Sequence, residues 1–206
     1  MSQPDEPLFT QPTMTVVAGP PGSGKSIRFR VQDFGVDAFN VDDRCRELHG
    51  SYQGVPPEVR RRAQEECERF MQEHIRTGAS FATETTLRTD IAIKQAQQAK
   101  EAGFFTSIIY VATGDAELNV ERIRQRGLAG GHSAPPDIIR GICGQSLGNV
   151  ATALLFFDRC EVYDNSGPEP RLVLRVAKGQ VVDAPKPVPT WVREALAGSR
   201  LAAQLD

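Results

Sequence analysis

Hydrophobic positions recur along this chain with two different periods, and the switches between them divide it into elements. Thr13-Met14-Thr15-Val16-Val17-Ala18 is a short apolar and β-branched run, the pattern of a buried strand. Asp37-Ala38-Phe39-Asn40-Val41 predicts a second strand that delivers Asp42 and Asp43 at its C-terminal end. After a loop from Gly50 to Pro57, the spacing becomes helical. Val59, Ala63, Cys67, Phe70, Met71 and His74 form one stripe, opened by Pro56-Pro57 and stopped by Gly78. The run Arg60-Arg61-Arg62 on that helix reads as a solvated face. Ser80-Phe81-Ala82-Thr83 is a third strand ending in Glu84-Thr85-Thr86, and a helix from about Thr89 to Ala102 follows, capped by Gly103. Phe104 to Ala112 is nearly continuous in apolar residues, as expected of a strand covered on both faces. Asp115 starts a helix through Arg126, and Pro135-Pro136-Asp137 starts another that runs to about Phe157. Arg159 to Tyr163 is a fifth strand, leading to Asp164-Asn165-Ser166.

Strands alternating with helices predict an α/β fold, a mostly parallel sheet with helices on both faces. Beyond it, Arg171–Val176 and Gln180–Val182 read as a hairpin, and a proline-rich stretch leads to a short helix at Trp191–Ala197. Three prolines and little periodicity make residues 1–12 a lead-in arm. Residues 13–166 are then the main domain, with 167–206 packed on it as hairpin and helix. The length, 206 residues, suits this plan without a second domain.

Composition changes the picture in two respects. Lysine and arginine number 24 against 26 acidic residues, a formal charge of −2 with both signs spread along the chain. That argues against nucleic acid or an anionic membrane as the main partner. Cys45, Cys67, Cys143 and Cys160 form no C-x-x-C pair, and no signal peptide or long apolar span is apparent. Reduced thiols in a cytoplasmic protein are the expectation.

The chemistry begins at Gly19-Pro20-Pro21-Gly22-Ser23-Gly24-Lys25-Ser26, which fits G-x-x-x-x-G-K-[ST] between a predicted strand and a predicted helix. Glycines let backbone N–H groups converge on phosphate oxygens. Lys25 reaches the β/γ-phosphates, and the Ser26 hydroxyl ligates Mg²⁺. A nucleoside triphosphate, ATP or GTP, is the expected cofactor. The ends of the parallel strands gather the remaining candidates on the same side. Asp42 is the candidate to orient an acceptor hydroxyl and take its proton, with helix capping as the alternative. Arg122 and Arg126 share a helix face and suit a transferred phosphoryl group, with plain surface charge as the alternative. Arg124 and His132 accompany them. His132 sits in Gly127–Pro135, a glycine-rich loop of the kind that closes as a lid.

These segments resemble the zeta-toxin family of P-loop kinases over roughly residues 13–166. The marks are GPPGSGKS, Phe39-Asn40-Val41-Asp42, Phe81-Ala82-Thr83-Glu84-Thr85-Thr86-Leu87, Asn119 to Arg126 with Gly130-Gly131-His132 and Pro136, Ser146-Leu147-Gly148-Asn149, and Tyr163-Asp164-Asn165-Ser166. The resemblance implies a kinase that phosphorylates a hydroxyl of a small molecule, plausibly UDP-N-acetylglucosamine or a related nucleotide sugar. By that likeness Asp42 is the base and Lys25 the phosphate-binding lysine. Glu68, Glu84 and Thr86 are acceptor contacts, joined by His132 and Arg140, and Asn165 lies near the nucleotide base. Family toxins pair with a small antitoxin, so such a partner is implied too. The chain departs from the family after the lid. The expected arginine-rich I-R-R-R-Y-x-R-S-L-x-N reads Ile139-Arg140-Gly141-Ile142-Cys143-Gly144-Gln145-Ser146-Leu147-Gly148-Asn149, with Gln145 where a phosphate-facing arginine is expected. An ATP-binding interaction module with weak turnover is therefore the alternative, as are kinases for another metabolite, nucleoside or antibiotic.

Overall fold

Seven strands form one sheet in the order β2-β3-β1-β4-β5-β6-β7 in the computed structural model, which describes residues 11–205. β1 (Thr13–Ala18) lies between β3 (Phe81–Thr85) and β4 (Phe105–Ala112), parallel to both. β2 (Asp37–Phe39) and β5 (Arg159–Asp164) extend the parallel set on either side. β6 (Arg171–Ala177) and β7 (Gln180–Asp183) then add antiparallel, so the C-terminal hairpin belongs to the same sheet. The chain leaves β1 in one direction to build β2 and β3 and returns on its other side as β4. That reversal puts a crevice beyond the end of β1. Of the expected N-terminal arm, residues 1–10 lie outside the described residues. Residues 11 and 12 hold to the sheet, with the Phe105 amide donating to the Pro12 carbonyl at 2.8 Å.

The two faces of the sheet are covered unequally. Met14, Val16, Phe81, Ile108, Tyr110, Val162 and Leu174 project to one side, under four helices. These are α3 (Pro57–Thr77), α4 (Ile91–Glu101), α6 (Pro136–Phe156) and α7 (Thr190–Leu196). The opposite face is covered over Val17, Ala82 and Ala38 by Phe29, Val31 and Val36, with little regular helix. The cause is the short connection after the P-loop. The expected helix there, α1 (Lys25–Arg28), lasts one turn, and a 3-10 turn, Val31–Phe34, follows. Phe29 leaves the helix to pack on the sheet and against the Tyr163 ring, centroids 4.6 Å apart. Burying two apolar side chains on the bare face outweighs continuing a solvent-facing helix.

The second strand is shorter than its apolar run. Asn40 ends it, because its side-chain oxygen accepts from the amides of Asp42 and Asp43 at 2.9 and 3.2 Å. Such a cap satisfies donors that a helix start otherwise leaves unpaired, and it launches α2 (Val41–His49). Asp42 therefore stands in the first turn of a helix rather than on a strand end. α5 (Ala116–Leu128) packs on α6 through Ile123, Ile139 and Cys143. All four cysteines are free thiols.

Candidate active site

A cleft of about 1140 Å³ opens beyond the C-terminal ends of the parallel strands. Its floor is the P-loop, whose shape is fixed from three sides. The Gly19 amide donates to the Thr85 carbonyl at 3.2 Å, tying the loop to β3. Gly19 has φ +141°, and a Cβ there would lie 2.0 Å from the Val111 carbonyl oxygen, so only glycine fits against β4. Gly24, at φ +92°, would place a Cβ 2.2 Å from the Asn165 amide nitrogen. That nitrogen donates to the Ser23 carbonyl at 2.7 Å, from a residue only 6% exposed. Asn165 thus clamps the loop from the end of β5, and its amide is spent on the P-loop rather than held out to a base. The Ser23 hydroxyl is buried within the loop without a protein hydrogen-bond partner. An orphaned hydroxyl and a cradle too tight for side chains fit a bound polyphosphate.

Lys25 is 6% exposed and donates to the Pro20 carbonyl at 3.3 Å. Its ammonium is also 3.7 Å from Glu84, whose carboxylate accepts from the Ser26 hydroxyl at 3.0 and 3.1 Å. Glu84 lies within β3, in register with Val17 of β1, so its side chain shares the P-loop's face of the sheet. Ser26 and Glu84 offer the oxygen chemistry that suits Mg²⁺.

Across the cleft stand Asp42, Glu68, Thr86, Arg122, Arg126 and His132, all lining it. Asp42 is ion-paired at 3.1 Å with Arg60, from the arginine run that the sequence pattern assigned to solvent. Asp43 is engaged elsewhere, accepting from the Tyr52 hydroxyl at 2.6 Å. Burial and then that carboxylate raise the Tyr52 phenol above its ordinary value. Arg122 reaches the P-loop, its guanidinium 3.5 Å from the Gly22 carbonyl oxygen. Arg126 donates to the His132 carbonyl at 3.2 Å and so folds the Gly127–Pro135 loop back on α5. That loop also meets the α2–α3 connection, where Gln53 donates to the Gly127 carbonyl at 3.2 Å.

Three expectations are corrected. Arg140 does not line the cleft; it pairs with Glu117 at 2.6 Å and Asp137 at 2.7 Å. Glu117 first and Asp137 second hold its guanidinium above the ordinary arginine range. Arg124 is likewise paired with Glu121, at 2.8 Å. Gln145 is exposed and outside the cleft, and α6 presents Ile138 and Ile142 there instead. Axial distance explains the difference: Gln145 lies on the helix face of Ile138 but seven residues, about 10 Å, farther along α6. Sequence reading overlooked Arg60, and the helical spacing of Arg60 with Gln64, Cys67 and Glu68, all cleft-lining, is the signal that would have found it.

Comparisons with known proteins agree with this architecture. A structure of the PezAT chromosomal toxin–antitoxin system of Streptococcus pneumoniae is similar at 22% identity and a TM-score of 0.58, covering 81% of this chain and 71% of that one. One of the AvrRxo1-ORF1:-ORF2 complex with ATP is similar at 17% identity and TM-score 0.65, covering 86% and 61%. A putative kinase from Chloroflexus aurantiacus is similar at 20% identity and TM-score 0.51, covering 65% and 76%. An uncharacterised protein of Haemophilus influenzae is 33% identical over 66 residues, which is 32% of this chain and 47% of that protein, so the match spans about half of the curated relative. A family model described as zeta toxin matches residues 2–168 of the 206, and the chain belongs to that family.

Proposed function

We propose that this chain is an ATP-dependent phosphotransferase that transfers the γ-phosphoryl group to a hydroxyl of a small molecule. One observation carries the reading: Asp42 lines the same cleft as Lys25, Ser26 and the arginine-bearing end of α5. A module that only bound nucleotide would have no use for a carboxylate opposite the phosphates. Phosphoryl transfer through a loose transition state asks mainly for positioning and charge stabilisation. The acceptor oxygen attacks the γ-phosphorus in line, the bond to the β-bridging oxygen breaks, and ADP leaves. Asp42 accepts the hydroxyl proton late in that step, held for it by Arg60. Lys25, Arg122 and Arg126 offset charge on the phosphoryl oxygens. A bound Mg²⁺ would supply further positive charge against the phosphates. Ser26 would hold it, with Glu84 behind the serine.

A nucleotide sugar such as UDP-N-acetylglucosamine is the proposed acceptor. Support comes from the family and from the mixture of Arg60, Arg88, Glu68 and Thr86 among the residues that line the cleft with Asp42, suited to a sugar bearing phosphate. ATP is the proposed donor, as in the AvrRxo1 complex solved with ATP. The PezAT system makes a small antitoxin a proposed partner. A cytoplasmic location is proposed with it, and among the described residues no helix is long and apolar enough to cross a membrane. The test pairs two variants in an ADP-release assay over a panel of nucleotide sugars, nucleosides and aminoglycosides. Lys25→Ala should lose nucleotide affinity and turnover together, whereas Asp42→Asn should lose turnover alone. Equal acceptor-stimulated turnover by Asp42→Asn and wild type would refute the assignment.

A further inference from the structure

Two residues other than glycine hold a left-handed backbone among those described, Leu87 at φ +56° and Lys178 at φ +49°. Lys178 sits in the β6–β7 hairpin turn, where such a φ is ordinary. Leu87 is in no hairpin, and an L-residue with a large side chain is sterically disfavoured in that conformation. Three contacts hold it there. Its side chain is fully buried in the main core, its amide donates to the Thr85 hydroxyl at 3.2 Å, and its carbonyl accepts from the Asn149 side-chain amide at 3.1 Å. Asn149 belongs to Ser146-Leu147-Gly148-Asn149 of α6, a segment that does not line the cleft. The residues flanking Leu87, Thr86 and Arg88, do line it.

Six arginines line the cleft, and five have a protein partner. Arg28 pairs with Glu169, Arg60 with Asp42 and Arg61 with Glu65, while Arg122 meets the Gly22 carbonyl and Arg126 the His132 carbonyl. Arg88 is exposed and has no such partner among the described residues. Backbone strain persists where its surroundings over-determine it, and it gathers at functional sites. Here it bends the chain after β3 so that Leu87 enters the core while both its neighbours stand at the cleft.

We infer that Asn149 is a positioning residue for the acceptor: by holding Leu87 left-handed it keeps Arg88 turned to the cleft, where the guanidinium takes a phosphate of an anionic acceptor. The inference rests on the acceptor reading above. A guanidinium grips phosphate through paired N–H donors in a fixed fork, so its grip depends on where the backbone sets it. Without the Asn149 donor, Leu87 is free to relax to the conformations that an L-residue prefers by about 5- to 30-fold. Only the left-handed fraction presents Arg88, and apparent acceptor affinity falls with that fraction.

The test titrates UDP-N-acetylglucosamine calorimetrically into the full chain holding Mg²⁺ and a non-hydrolysable ATP analogue. Arg88→Ala should weaken acceptor binding about 10- to 100-fold, the loss of a charge-assisted contact. Asn149→Ala should weaken it about 5- to 30-fold and leave affinity for the ATP analogue within about twofold. In the Arg88→Ala background the same change should weaken acceptor binding less than about twofold, although it lowers Tm as much as it does in wild type. Asn149→Asp keeps the shape but, ionised, cannot donate, and should match alanine. Thr85→Val removes the acceptor of the Leu87 amide and should behave likewise, so it serves if Asn149→Ala fails to fold. Acceptor affinity within about twofold of wild type in folded Asn149→Ala, or an equal loss with and without Arg88, would overturn the inference. Failure of wild type to bind UDP-N-acetylglucosamine while it binds the ATP analogue would instead overturn the nucleotide-sugar reading, and this inference with it.

Discussion

Replacing Asn165 with alanine tests whether the P-loop is clamped from β5. The substitution removes a 2.7 Å hydrogen bond to the Ser23 carbonyl at a residue 6% exposed, while the Asn165 amide still donates to the Ala112 carbonyl at 2.8 Å. Leaving a buried carbonyl without its donor costs about 1–3 kcal/mol. At about 2 kcal/mol, a chain of this size should lose about 4–8 °C in Tm. The loss falls on the loop that binds phosphate, so MgATP affinity should drop about tenfold or more, the equivalent of about 1.4 kcal/mol. Asn165→Asp should be worse than alanine, because it sets a carboxylate oxygen against a carbonyl oxygen. Gly24→Ala supplies the cross-check. Its Cβ meets the Asn165 amide nitrogen at 2.2 Å, so the substitution should cost less in the Asn165→Ala background, leaving mainly the strain of φ +92°. Calorimetric Tm and nucleotide titration of the two single variants and the double variant complete the cycle. A Tm within about 1 °C of wild type, with affinity within about twofold, lies below the cost of one orphaned buried carbonyl and would refute the clamp.

Three further outcomes follow from the same geometry. Arg60→Ala should leave MgATP affinity within about twofold but lower acceptor-dependent turnover about 10- to 100-fold, since a base displaced by about 1 Å loses on that order. An unchanged kcat would show that Arg60 does not position Asp42. Asp158 is held below the ordinary aspartate value: burial would raise it, but Lys100 and the Thr106 amide and hydroxyl outweigh that. A depressed carboxylate stabilises the fold above its unfolded pKa of about 3.9 and loses that contribution as pH falls through the lower folded value. Asp158→Asn should therefore flatten the acid limb of a Tm-versus-pH curve, and parallel limbs would contradict this. Burial raises the thiols of Cys45, Cys67, Cys143 and Cys160, Cys67 to about 11 with a further push from Glu68. Native protein should react slowly with iodoacetamide at pH 8 and all four cysteines rapidly in denaturant, so a fast native phase at Cys160, which is fully buried, would count against its burial.

Much of the scaffold was legible because it follows local rules. The apolar runs at Val16-Val17 and Ile108-Ile109-Tyr110 have no other stable placement than interior strands, and GPPGSGKS combines a strand, a glycine turn and a helix start in a few residues. What stayed hidden depends on which partner each side chain takes in the folded chain. No local signal says that Phe29 abandons its helix for the sheet and Tyr163. Asn40 reads as part of an apolar strand until its side chain is seen capping α2. Arg140 and Arg124 look like phosphate ligands by position, but Glu117 of the neighbouring α5 takes Arg140, and Glu121, three residues back on the same helix, takes Arg124. Gln145 looks like a lost catalytic cation by its place in the motif, but it lies two turns of α6 beyond Ile138, clear of the cleft. Arg60 is the converse case, a residue of a charged run that α3 swings over the Asp42 carboxylate.

The central claim is that a hydroxyl acceptor, oriented by Asp42, receives phosphate from MgATP in this cleft. ³¹P NMR of ATP consumption tests it most directly, with wild type and Asp42→Ala each run alone and with UDP-N-acetylglucosamine. The account predicts acceptor-stimulated ADP formation with a new phosphomonoester resonance in wild type, and loss of both in the variant with MgATP still bound. The same resonance appearing at the wild-type rate in Asp42→Ala would contradict it. So would bound ATP that stays intact with UDP-N-acetylglucosamine and with every other nucleotide sugar, nucleoside and aminoglycoside offered.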